Sequence, residues 1–233
     1  MTEILPILGS IVGLKVARAV DHNRMAILLG ALVLLVLAAP ISEMTSQGRL
    51  VIAGLTSGFL LSALQQVDAF PRFRLIVRLM VLLWLIQYLL PFGPGSIWTG
   101  AEASATLAVL SFCVLFIAAR HLAFADDVDR ELLCGAVGAY LLLGVFWANT
   151  YQIINSVDPE AFHGPDGGVL NPSALYYLSF TTLTTTGYGD ITAVDPLVRM
   201  WAIFEAITGS MYNAIVIARL VSLYGPPGRR EKH

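Results

Sequence analysis

Asn171-Pro172-Ser173-Ala174-Leu175-Tyr176-Tyr177-Leu178-Ser179-Phe180-Thr181-Thr182-Leu183, running on into Thr184-Thr185-Thr186-Gly187-Tyr188-Gly189-Asp190, is the stretch on which the fold turns. Asn171 suits a helix N-cap and Pro172 its first position. About a dozen residues then read as helix, too short to cross a bilayer, which takes about 20. A Thr- and Gly-rich chain follows at once. This stretch lies between two long apolar runs, 132–154 and 197–223. A short helix followed by non-helical chain between two spans reads as a re-entrant loop. Such backbone survives at membrane depth only where it is buried in protein or lines a watery path.

The composition agrees with a membrane setting. Hydrophobic residues make up 57% of the 233 and charged residues only 13%, against about 25% charged in average soluble proteins. Further apolar runs at 25–41, 50–67, 75–92 and 101–119 bring the count to about six spans. The run at 50–67 is the weakest, diluted by Ser57, Ser62, Gln65 and Gln66. Residues 1–24 read as a cytoplasmic or interfacial lead-in, because Lys15 and Arg18 fall late in an apolar stretch whose signal-peptide form would put them first. The expected organisation is that lead-in, a four-helix domain over 25–125, a second domain over 126–225, and a short cytoplasmic tail over 226–233. The fold class is therefore an all-α membrane protein.

Charge sets the orientation. With both termini cytoplasmic, every Lys and Arg except Arg49 and Arg199 falls inside or near an inner helix end, a positive-inside bias. The loop 155–196 then faces outward. A net charge of −2 gives no reason to expect nucleic acid. Cys113 and Cys134 sit in apolar runs and read as buried small hydrophobes. No zinc-ligand spacing or nucleophile–base pair stands out, so no enzyme is expected.

The loop 184–190 has restrictive chemistry. A dehydrated cation needs rings of oxygens in place of its water shell. Backbone carbonyls supply them only if successive residues turn the same way, which L-residues resist. Gly187 and Gly189 tolerate the positive φ this requires. Thr185 can add a hydroxyl oxygen below the carbonyls. Tyr188 can point away and brace the loop on aromatics, and Asp190 can anchor its outer end.

At these residues the sequence resembles the tetrameric potassium channel family, whose filter is Thr-Val-Gly-Tyr-Gly carried on four loops around one pore. Thr185, Gly187, Tyr188 and Gly189 match, and Thr186 stands in the Val position. Its side chain is expected behind the filter, where the change bears on rigidity. The stretch 175–185 resembles the pore helix of bacterial members, and Gly-Asp-Ile-Thr after the filter is typical. The likeness covers about 132–224, while the first four spans match only the six-span layout of voltage-gated channels. It implies a homotetrameric pore lined by 197–223, set in the lipid of a prokaryotic plasma (inner) membrane. It implies K+ as the permeant ion, held by oxygens of Thr185, Thr186, Gly187 and Tyr188, with no cofactor. Thr181, Thr182, Thr184 and Asp190 would support the filter.

Gating is less legible. A voltage sensor needs regularly spaced Arg or Lys within the membrane. The run 101–119 has none, and Arg72, Arg74 and Arg78 do not keep a three-residue spacing. Weak voltage dependence is expected. The short tail leaves regulation to a separate subunit, if there is one. In related channels a glycine at the place of Gly209 is a hinge; close helix packing is the alternative. Glu205, an ionisable residue inside a span, is a functional candidate by default. It is expected to bond pore-helix hydroxyls such as Thr181 or Thr182, with a cavity-lining proton sensor as the alternative. Asp158, Glu160 and Asp166 would make the outer mouth negative. Two other functions compete: a non-selective cation channel on the same scaffold, for which Thr186 leaves room, and a potassium transporter subunit, which would need four filter loops in one chain. A membrane enzyme would need polar groups converging on Glu205.

Overall fold

The computed structural model describes residues 24–40, 54–60, 62, 75, 78–79, 81–84, 86, 97–165 and 170–223. The expected lead-in over 1–23, the tail over 226–233, Asp166 and most of the runs 50–67 and 75–92 lie outside these.

Five helices organise the described chain. They are α1 (Arg24–Ala38), α2 (Ile97–Ala123), α3 (Arg130–Val157), α4 (Pro172–Leu183) and α5 (Pro196–Leu223). Among the described residues three helices are long and apolar enough to cross a membrane: Ala103–Ala123, Arg130–Val157 and Pro196–Leu223. Met25–Ala38 is a shorter apolar helix. Residues 54–60 are also helical.

Local chemistry explains the boundaries. Asp129 caps α3, accepting the N–H of Leu132 at 2.7 Å, and Glu131 follows in the first turn. A carboxylate there complements the positive end of the helix dipole. Asp195 does the same for α5, accepting from the N–H groups of Leu197 and Val198 at 2.8 and 3.1 Å. Asn171 caps α4 through the Ala174 N–H at 2.9 Å, with Pro172 in the first turn.

The apolar faces form two main cores. Leu28, Leu32 and Leu35 of α1 pack with Phe59, Leu60, Val81 and Trp84, and with Leu110, Val114 and Ile117 of α2. Leu142 and Val145 of α3 close this cluster, so α3 is shared between the two halves of the chain. The other face of α3 (Leu143, Trp147, Tyr151) joins Leu175, Leu178 and Leu183 of α4 and Val198 of α5. A two-stranded antiparallel ribbon, β1 (Phe162–His163) with β2 (Thr192–Ala193), pairs Phe162 with Ala193 and His163 with Thr192. It ties the chain before α4 to the chain after the Thr-Gly loop.

Candidate functional site

Helix α4 enters between α3 and α5 and stops at Leu183. Its position is fixed by close contacts. A methyl group at Gly144 of α3 would sit 2.7 Å from the Phe180 ring, so only glycine lets that ring lie on the helix. Asn149 donates to Tyr176 Oη at 3.3 Å, and Tyr140 donates to the Leu183 carbonyl at 3.2 Å.

The loop after α4 has a regular backbone. Thr184 is right-handed with φ −80°. Thr185, Gly187 and Gly189 have φ of 58°, 52° and 80°, and among the described residues no other has positive φ. The sign of φ therefore alternates residue by residue from Thr184 to Gly189. Alternating hands bring successive N–H groups to one side of the chain. The hydrogen bonds agree: Thr185 N–H donates to Thr182 O at 2.9 Å, and the N–H groups of Thr186 and Gly187 donate to Thr181 O at 2.8 and 3.1 Å. In a trans peptide the carbonyl points opposite to the N–H of the same unit, and no peptide here is cis. The carbonyls of Thr184, Thr185 and Thr186 therefore all project away from α4.

Side chains brace the far side. Thr184 Oγ1 donates to Phe180 O at 2.7 Å and lies 2.9 Å from Thr186 Oγ1. The Thr186 hydroxyl is thus gathered toward the end of α4. Thr185 Oγ1 donates to Thr184 O at 2.7 Å, which leaves its lone pairs for a cation. Tyr188 stacks on Tyr177 with ring centroids 6.2 Å apart and planes 5° from parallel. Tyr177 also donates to Asp190 Oδ2 at 2.9 Å. Residues 184–190 are all solvent-exposed or nearly so within the single chain, Tyr188 at 72%.

Glu205 is fully buried on α5. It meets a hydroxyl of α4, but that of Ser179 at 2.6 Å instead of Thr181 or Thr182. Thr181 turns its own hydroxyl back to Tyr177 O and Leu178 O and reaches the loop through its carbonyl. Gly209 lies against the end of α4, where a methyl group would overlap the Leu183 carbonyl. Gly209 is therefore closely packed in this conformation, a contact that leaves the hinge reading untested. Among the acids of the outer loop, Asp158 caps a single 3-10 turn by accepting the Glu160 N–H at 3.1 Å.

The sequence singles out Thr185 but not its left-handed backbone, for which the two-residue spacing from Gly187 and Gly189 is the available signal. Tyr140, Tyr151 and Tyr177 had no signal beyond being polar aromatics near spans.

Residues 138–225 match a family model described as an ion channel. This part of the chain is an ion-channel domain. Its matched segment runs from within α3, through α4 and the Thr-Gly loop, and past the end of α5. With three helices able to span a bilayer, the channel domain belongs to a membrane protein. No match was found among curated proteins or among solved structures.

Proposed function

We propose that the chain is one subunit of a homotetrameric channel that conducts K+ passively and selectively, with 184–190 as its filter. One observation carries this reading: the carbonyls of Thr184, Thr185 and Thr186 project from the chain's own body, because the N–H groups of Thr185, Thr186 and Gly187 bond back to α4. An isolated subunit could not hold such a loop in a bilayer, where unpaired carbonyls have no water. Four copies around an axis would turn the carbonyls of Thr185, Thr186, Gly187 and Tyr188 into oxygen rings that replace the hydration shell of K+. Closed cyclic symmetry is the usual way for one repeated surface to be covered.

The surface of α5 favours the same assembly. Only 11% of its most apolar window is buried by the chain itself. Phe204, Ile207, Met211 and Ile215 are exposed. In a tetramer these would face neighbouring subunits, lipid or the inner pore. The membrane is proposed to be a prokaryotic plasma membrane, with both termini cytoplasmic. Arg120 and Arg219 at inner helix ends support that orientation.

The runner-up is a cation channel of low selectivity on the same scaffold. Its one support is the polar Thr184–Thr186 contact where the family places an apolar Val. Flux tests the main reading. Protein in K+-loaded vesicles should release K+ when an ionophore clamps the charge, and Gly187→Ala should abolish that release. Equal release from wild-type and Gly187→Ala vesicles would contradict a filter at this loop.

A further inference from the structure

The carboxyl of Glu205 joins three helices through a set of short contacts that can be counted proton by proton. Tyr151 Oη of α3 lies 2.5 Å from Glu205 Oε2. Ser179 Oγ of α4 lies 2.6 Å from Glu205 Oε1. The same Ser179 Oγ lies 2.9 Å from the carbonyl oxygen of Gly144 on α3. All three are oxygen–oxygen contacts at hydrogen-bond distance, and each needs one hydrogen between its atoms. Tyr151 owns one hydroxyl hydrogen and Ser179 owns one; the Gly144 carbonyl owns none. Two hydrogens cannot fill three contacts.

We propose that Glu205 carries the third proton, and that the neutral carboxyl is a positioning residue locking α4 between α3 and α5. The chain of bonds then closes without a defect. Glu205 donates from Oε1 to Ser179 Oγ, Ser179 donates to Gly144 O, and Tyr151 donates to Glu205 Oε2. Without the proton, Ser179 would face two acceptors with a single hydrogen, and the lone pairs of either Gly144 O or Glu205 Oε1 would be pressed against those of Ser179.

The surroundings agree. Glu205 is 0% exposed, Ser179 0% and Tyr151 0%. The groups facing the carboxyl are Tyr151 from α3 and Ser179 from α4. Neither is a cation, and a lone carboxylate inside a membrane-embedded core would be a charge with nothing to offset it. Trp147 and Phe162 enclose Tyr151, with ring centroids 6.2 and 5.6 Å away, so the network is walled off by aromatic surface.

Geometry connects this pin to the loop. Ser179 lies one turn before Leu183, and Gly209 lies one turn after Glu205. The pairs Ser179–Glu205 and Leu183–Gly209 fix the register of α4 on α5. Thr181 and Thr182, which receive the loop N–H groups, lie between the two pins. Glu205 therefore acts on the oxygen rings through α4 and does not touch the ion. The consequence for conduction rests on the potassium-pore reading above; the proton assignment does not.

The test is infrared spectroscopy of the purified full chain in detergent. The carbonyl stretch of a protonated carboxylic acid is expected in the wild type and absent in Glu205→Gln. Tyr151→Phe, which removes one bond to the carboxyl, is expected to shift that stretch. A Glu205→Gln spectrum that superimposes on the wild type in this region overturns the assignment, as does an unshifted Tyr151→Phe. A second readout addresses position. The Gln amide can donate to Ser179 and accept from Tyr151, so Glu205→Gln should retain K+ flux where Glu205→Leu loses it. Equal loss in both variants overturns the positioning role. If wild-type protein passed no K+ while the infrared bands behaved as expected, the pore reading would fail and the proton assignment would stand.

Discussion

At the residue scale the loop depends on backbone hand. Gly187 and Gly189 reach positive φ without a Cβ, but Thr185 does so at φ 58° with a β-branched side chain. An L-residue held left-handed costs about 1–2 kcal/mol. That cost is offset here by the bond from Thr185 N–H to Thr182 O and by the hydroxyl bond to Thr184 O. Gly189→Ala adds a strain of the same size, about 1–2 kcal/mol in each subunit. It should lower the preference for K+ over Na+ in vesicle flux; an unchanged preference would show that position 189 needs no left-handed residue. The glycines were legible because Gly-Tyr-Gly after a Thr run has few other uses. The left-handed backbone of Thr185 was not, because propensity argues against a β-branched residue at positive φ. Only the surrounding bonds override it.

At the element scale α4 is held by fit. Phe180 occupies the space that a Cβ at Gly144 would need. Gly144→Ala should destabilise the fold by about 1–3 kcal/mol, the usual range for overpacking. The smaller side chain of Phe180→Leu should restore part of that loss, read as thermal denaturation of single and double variants. Additive losses would contradict the contact. Gly209 gives a parallel case with a sharper alternative. If it packs on Leu183, Gly209→Ala lowers the melting temperature. A hinge alone would change current and leave the melting temperature in place. The sequence showed α4 well, because Asn171, Pro172 and the Thr run mark both of its ends. It did not show which residues of α4 meet α5. The register that pairs Ser179 with Glu205 depends on how closely two helices approach, and Thr181 was an equally good candidate on paper. Arg219 links another pair of elements, donating to Ala123 O and Ala125 O at 3.1 and 2.8 Å at the end of α2. Arg219→Met should cost about 1 kcal/mol in the same denaturation experiment, and no change would mean that these bonds form equally well to water.

At the scale of the whole molecule, α3 faces both ways. Leu142 and Val145 complete the core of α1 and α2, while Leu143, Trp147 and Tyr151 complete that of the channel domain. The two halves therefore share one helix and should unfold together rather than in separate steps. The apolar periodicity revealed that several spans existed, but not that one would serve two cores, since both faces of α3 read simply as hydrophobic. What the single chain leaves uncovered is the loop 184–190 and most of α5. A native mass of four times the subunit mass is expected for protein extracted in mild detergent, and a monomer would leave the carbonyls without a ring. The most direct test of the central claim is the reversal potential of reconstituted protein under opposed K+ and Na+ gradients. The account predicts a value near the K+ equilibrium potential, lost in Tyr188 or Gly187 variants. Current that reverses near zero would contradict K+ selectivity and favour the non-selective pore.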